Sequence, residues 1–378
     1  MNRCTSKRFL CCLLLSICQV GLSQNVQLWS VTSNNGAHGY GSIFHIENNG
    51  TGFTKVHDFT GEHGYPFASL TLSNGKLWGM TMGRTGSPTA QETRGHGAIF
   101  NLDLTGSNFK VIHVFDGVNG SMPLGELTEN DGKLWGMTNR GGQHDQGVIF
   151  SLDLETNRFQ KVYDFNQANG SNPRNSLLVH EDKFWGTTSR GGGQGVGVIF
   201  SLNLDGTGYQ KVYDFQKENG GEPESGLTLF EGKLWGMTAR GGKNNEGTVY
   251  YLNPEDNSLV SVHDLEYPAL GELNADSEKL WGMMALRGEN NAGTVFTIED
   301  EEHLVVHHFD KANGRFPEGN LMEYEGVMWG MTRFGGMNNL GVIFTIDKAS
   351  GHFKKIFDFN KESGGVPYGS FVEVSRKK

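Results

Sequence analysis

The chain has 378 residues, with 55 glycines, only 9 prolines, and 42 acidic against 32 basic side chains, a formal charge of −10. An acidic chain lacks the basic footprint that a phosphate backbone requires, which excludes nucleic acid as a partner. Few prolines, no charge run and no Ser/Gly tract exclude a disordered chain or one built on flexible linkers.

The first element is a leader. Arg3, Lys7 and Arg8 precede the apolar run FLCCLLLSICQVGL, and Gly21 and Ser23 supply small residues. Residues 1–23 are expected to be a signal peptide cleaved near Ser23, with the mature protein periplasmic or released. The run is too short for a membrane span, and no later segment reaches the length needed. A lipoprotein would use Cys18, but Ile17 stands where a small residue is wanted. All four cysteines (Cys4, Cys11, Cys12 and Cys18) fall in the leader, so residues 24–378 have no disulfide and no thiolate metal site. That mature chain carries 29 basic and 42 acidic residues, a formal charge of −13.

After the leader comes a repeat. All seven tryptophans occupy one place in a recurring phrase: Trp29 (QLWSVT), Trp78, Trp135 and Trp235 (KLWGMT), Trp185 (KFWGTT), Trp281 (KLWGMM) and Trp329 (VMWGMT). Their spacings are 49, 57, 50, 50, 46 and 48, a period that belongs to propellers and solenoids. Each repeat holds four β-type runs, as in ESGLTLF, EGKLWGMTAR, GTVYYLNP and SLVSVHDL. Turn pairs such as Asn74-Gly75 and Asp131-Gly132 join the first two runs, and Asp205-Gly206 joins the last two. Four antiparallel strands make a propeller blade. The chain starts on a second run and ends on a first run (Tyr368 to Ser375), so the last blade is completed by three N-terminal strands and one C-terminal strand. The fold expected is an all-β, seven-bladed β-propeller with no free blade edge.

The phrase LWGMTxRGGxxxxGxIFxL, followed by F-x-K-V-x-D-F and N-G-x-x-P, resembles the GloVer-type tandem repeat of exported bacterial proteins, across essentially all of residues 24–378. Such repeats more often carry Tyr where this chain has Trp, and often end in a sorting or anchoring domain. The resemblance implies a fold and export, and it assigns no chemistry.

Function is expected on the face that gathers the loops from run two to three and from run four to one, because these loops vary in length. Arg84, Arg140, Arg190, Arg240, Arg287 and Arg333 recur there after the Trp run. They suit carboxylate or sulfate ligands through bidentate bonds, or they pair within their own blades with Asp58, Asp164, Asp214, Asp264 and Asp358. Departures from the repeat gather in its first three copies. His38, Arg94 and His144 stand three places before the glycine that opens run three, with Tyr40 and His96 beside the first two, and the adjoining loop adds His63 and Tyr65. The second repeat also has seven extra residues between Met82 and His96, and the fifth lacks four before run one.

Imidazole and phenol groups near arginine suit proton transfer on an acidic sugar, with Arg84, Arg94, Arg140, Arg190 and Arg240 as substrate ligands and His38, Tyr40, His63, Tyr65, His96 and His144 as catalytic candidates. The histidines share no metal-ligand spacing, and no phosphate loop, dinucleotide fingerprint or nucleophile elbow occurs, so no metal or cofactor is expected. The leading expectation is an exported, monomeric propeller that binds an acidic polysaccharide. A polysaccharide lyase and a protein-interaction scaffold are the alternatives.

Overall fold

Short runs that alternate between apolar and polar residues cannot bury two faces alone, so they pair into sheets and stack. The computed structural model describes residues 26–61, 63–83 and 95–375. They form 28 strands and no helix, in seven four-stranded antiparallel sheets. Among the described residues no helix is long and apolar enough to cross a membrane. The expected signal peptide (residues 1–23) and the expected ligands Arg84 and Arg94 lie outside the described residues.

The sheets are the blades of a seven-bladed propeller. Blade 1 runs Val372–Ser375, Val26–Thr32, Ser42–Glu47, Thr54–Asp58, so the two ends of the chain share one sheet. Trp29 faces Val372 and Val26 faces Ser375 across that join. Blades 2 to 7 follow in chain order, each with its first strand nearest the axis. The closing strand is shorter than its sequence run. Tyr368 to Phe371 lie outside the ladder, and Tyr368 lines the axial cavity.

Asn74-Gly75 (φ 48° and 69°) and Asp131-Gly132 (φ 50° and 70°) have both residues at positive φ, the two-residue turn that matches strand twist. The glycine after each tryptophan has another cause. A Cβ on Gly136 would stand 2.5 Å from Cζ of Phe150, whose ring lies flat on the bare backbone. Blade 1 has Ser30 there instead, and its hydroxyl donates to the Ser370 carbonyl (2.7 Å).

The core is seven separate seams, one between each pair of blades. In each, a tryptophan packs on the next blade: Trp235, for example, meets Leu280, Phe296 and Ile298. All seven are at most 5% exposed. They are packing residues and not a ligand platform.

The outer rim repeats the device with smaller rings. In six blades the next-to-last residue of the fourth strand stacks on the next blade: His57 on Phe109 (3.9 Å between centroids), His113 on Phe159 (3.8 Å), Tyr163 on Tyr209 (3.9 Å), His263 on His303 (4.7 Å), His307 on Phe353 (4.0 Å) and Phe357 on Phe53 (4.1 Å). Burial lowers the pKa of His57 and His113, and takes His303 and His307 to about 4, so these imidazoles are neutral.

Candidate functional site

The loops from second to third and from fourth to first strands emerge at one end of the ring. Of the residues singled out there, Tyr40 and Tyr65 meet edge to face (5.4 Å, 85°). The Tyr65 N–H donates to the Tyr40 carbonyl (2.9 Å), and His63 is half-buried in the same loop. Nδ1 of His96 lies 3.0 Å from Oγ of Ser121, and its ring packs under Gly117. His38 and His144 are exposed, on the loops of blades 1 and 3. Among the described residues no hydrogen bond or ring contact joins any two of these four histidines. His96 instead packs on the adjoining loop that carries Gly117 and Ser121.

The arginines divide in two. Arg140, Arg190 and Arg240 are exposed, and their backbones bridge to Ser121, Ser171 and Gly221. Arg140 comes within 3.8 Å of Asp145, an exposed pair worth roughly 0–1 kcal/mol. The fourth-strand aspartates are not their partners. Asp164 accepts from the Gln143 N–H (2.7 Å) and pairs with Lys161 (2.9 Å), which pins the Gly141-Gly142 loop and leaves the guanidinium free of it.

Arg333 behaves differently. In blade 7 the rim position belongs to Phe334, which bridges to Arg315, and arginine stands one place earlier. A one-residue shift reverses the side chain, so Arg333 points to the axis. There it pairs with Glu318 (2.5 Å) and lies over the Tyr368 ring (4.1 Å).

On the axis lies a small cavity of ≈ 90 Å³. It is built by the residues that follow Pro66, Pro123, Pro173, Pro223, Ala269, Pro317 and Pro367, where each chain enters its first strand. Glycines let these segments meet backbone to backbone: a Cβ on Gly125 would fall 2.3 Å from the Asn175 carbonyl carbon. At the mouth, Phe67 stacks on Tyr368 (3.9 Å) beside Arg333 and Glu318, and Arg174 pairs with Glu224 (3.5 Å). Leu124 and Leu270 complete the wall. Burial raises the pKa of Glu318 although Arg333 opposes it, and burial also raises Tyr368.

Two places deeper, every blade contributes one residue to a hydrogen-bonded floor. The Ser370 N–H donates to Oγ of Ser69 (2.6 Å), and Ser69 donates to Glu126. The Glu272 carboxylate accepts from Ser176 (3.4 Å), Asn320 (3.2 Å) and the Gly226 N–H. Glu126 and Glu272 keep a little accessible surface where they face the cavity, but protein surrounds them. Desolvation raises both, and Glu126 adds its charge to push Glu272 up to about 8. At neutral pH the Glu272 carboxyl is therefore held in its protonated form. Nδ2 of Asn175, in the cavity wall, is buried without a partner.

Sequence reasoning missed this site because it looked among the variable loops. The signal was the place after the recurring proline (Ala269 in one copy), which reads Phe67, Leu124, Arg174, Glu224, Leu270, Glu318 and Tyr368 around the ring.

No curated protein matches the chain. Among solved structures, a putative 6-phosphogluconolactonase from Bacteroides uniformis is similar over 92% of this chain and 99% of its own, with 11% identity and a TM-score of 0.62. The crystal structure of a nidogen/laminin complex is matched over 92% and 98% (10% identity, TM-score 0.49). TolB from Acinetobacter baumannii is matched over 74% and 63% (13%, 0.45). At such identities the likeness concerns the fold alone. The Gloeobacter/Verrucomicrobia repeat matches residues 85–273 and 266–377, and the chain, with seven copies of that phrase closed into a ring, belongs to this repeat family.

Proposed function

We propose that this propeller binds carbohydrate, and that it seats a sugar at the axial mouth of its loop-rich face. The observation that carries the reading is the breakdown of sevenfold regularity at that mouth. Residues that only needed to pack are replaced by a stacked aromatic pair, Phe67 and Tyr368, and by two carboxylate–guanidinium pairs, Arg174–Glu224 and Arg333–Glu318. A sugar hydroxyl both donates and accepts, so adjacent carboxylate and guanidinium groups satisfy it from both sides, while ring C–H groups pack on an aromatic edge. Four carboxyl groups (Glu126, Glu224, Glu272 and Glu318) against two guanidinium groups disfavour the acidic polysaccharide expected from sequence and favour a neutral glycan. The lyase alternative, in which one of His38, Tyr40, His63, Tyr65, His96 and His144 moves a proton beside an arginine, is the second reading, and the assay below separates it.

A glycan array with neutral and uronic-acid oligosaccharides, followed by calorimetry on the hits, tests the reading. Binding of neutral glycans that is lost in Arg174→Ala and Tyr368→Ala, with unfolding temperature kept, supports it. Binding that persists in both variants places the site elsewhere, and unsaturated products absorbing in the ultraviolet favour the lyase.

A further inference from the structure

The axial cavity is too small for a sugar ring. At ≈ 90 Å³ it falls well below the ~300–1,000 Å³ of pockets that enclose a whole small molecule, and it admits a short arm of a few atoms. Its polarity then selects the arm. The Glu126–Glu272 pair offers carboxylate oxygens that accept hydrogen bonds. Nδ2 of Asn175 is a buried donor with no acceptor. Leu124 and Leu270 line the same space with methyl groups.

We infer that the cavity receives the acetamido arm of an N-acetylated sugar, an inference that rests on the carbohydrate reading above. An acetamido group carries one N–H, one carbonyl oxygen and one methyl. The N–H donates to a Glu126 or Glu272 oxygen, the carbonyl accepts from Asn175, and the methyl lies against Leu124 or Leu270. The other common arms fit less well. A carboxylate meets the charge of the glutamate pair, while Arg174 and Arg333 are already paired with Glu224 and Glu318. An ammonium satisfies the glutamates but leaves the Asn175 donor unpaired and faces Arg174 and Arg333 nearby. A hydroxymethyl has no methyl for the leucines and one oxygen to serve both donor and acceptor. Unpaired buried donors are costly, so a sugar without the arm is held less tightly.

Calorimetry and saturation-transfer NMR on the mature chain, with N-acetylglucosamine, N-acetylgalactosamine, glucose, glucosamine and glucuronic acid as probes, test this. The expected result is an affinity for the N-acetyl sugars at least about 10-fold above glucose, with the strongest saturation on the acetyl methyl. Asn175→Asp, which turns the donor into an acceptor at nearly constant shape, is expected to abolish that preference. Equal affinity for glucose and N-acetylglucosamine, or saturation spread over the ring with the methyl silent, overturns the acetamido assignment and leaves the carbohydrate reading standing. Failure of every sugar and of the array overturns both. The NMR measurement needs no variant, so an Asn175→Asp protein that does not fold leaves the test intact.

Discussion

Glu272 reaches across the axis of the propeller: its carboxylate takes a hydrogen bond from Ser176, two blades away, and feels the charge of Glu126, three blades away. A group from one blade is thereby tied to most of the ring, and its protonation becomes a property of the whole molecule.

Stability is expected to fall as pH rises towards 8. The folded pKa of Glu272, about 8, lies above its unfolded value. Its contribution is therefore complete below the ordinary glutamate range and is lost as pH climbs through the folded value, by at most ~1.4 kcal/mol per pH unit for one proton. Glu272→Gln, which keeps the shape and the neutral state, should flatten the profile. Unfolding temperatures from pH 6 to pH 9 decide it, and parallel curves for both proteins would show that the pair carries no such coupling.

Acid acts on the rim instead. His303 and His307 have folded pKa values of about 4, below the unfolded value, so their contribution is present above ~6.5 and is lost as pH falls towards 4. Both sit in blade 6, where His303 stacks on His263 and His307 on Phe353. Hydrogen exchange at pH 4.5 should show blade 6 opening before blades 3 and 4. Replacing His307 by Phe should delay the loss, and uniform protection across all blades would rule the mechanism out.

Trp235→Ala should cost ~3–5 kcal/mol in denaturant unfolding, since it empties the seam between blades 5 and 6. A cost under ~1 kcal/mol would mean that the seams, for all their burial, do not hold the ring.

Arg190→Ala and Arg240→Ala should each change stability by less than ~0.5 kcal/mol and leave glycan binding intact. Both guanidinium groups are exposed and unpaired among the described residues. Arg333→Ala should weaken binding, because it frees Glu318 and uncovers Tyr368. Equal effects from all three would restore the arginine ring expected from sequence.

The blade count and the closure were legible because both are matters of phase: seven tryptophans in one register, and a chain that begins on a second strand and ends on a first. The use of Trp135 or Trp235 as a seam residue followed from the same register. The site was not legible, for reasons of geometry. Arg333 is one place out of step with Arg140, which reads as a minor variation until the alternation of side chains sends one to the axis and the other to the rim. Glu126 and Glu272 are 146 positions apart and each resembles an ordinary surface acid. Only the sevenfold arrangement turns the place after the proline into a common wall. The rim histidines were equally hidden, since His57 needs Phe109 from the next repeat before its burial has a cause.

The pairing of Trp29 with Val372 sets a schedule for folding. The strand that carries Trp29 is made first and receives its inner neighbour last, after every other blade exists. Until then one edge of blade 1 presents unpaired backbone groups to any strand nearby. A nascent chain therefore passes its whole synthesis as an open arc, and it is then, not once the ring has closed, that a second copy can insert its own tail. Refolding at high concentration should yield tail-exchanged dimers, whereas a circular permutant cut at Asp131-Gly132, with the present ends linked, would make its N- and C-terminal halves around an already continuous blade 1.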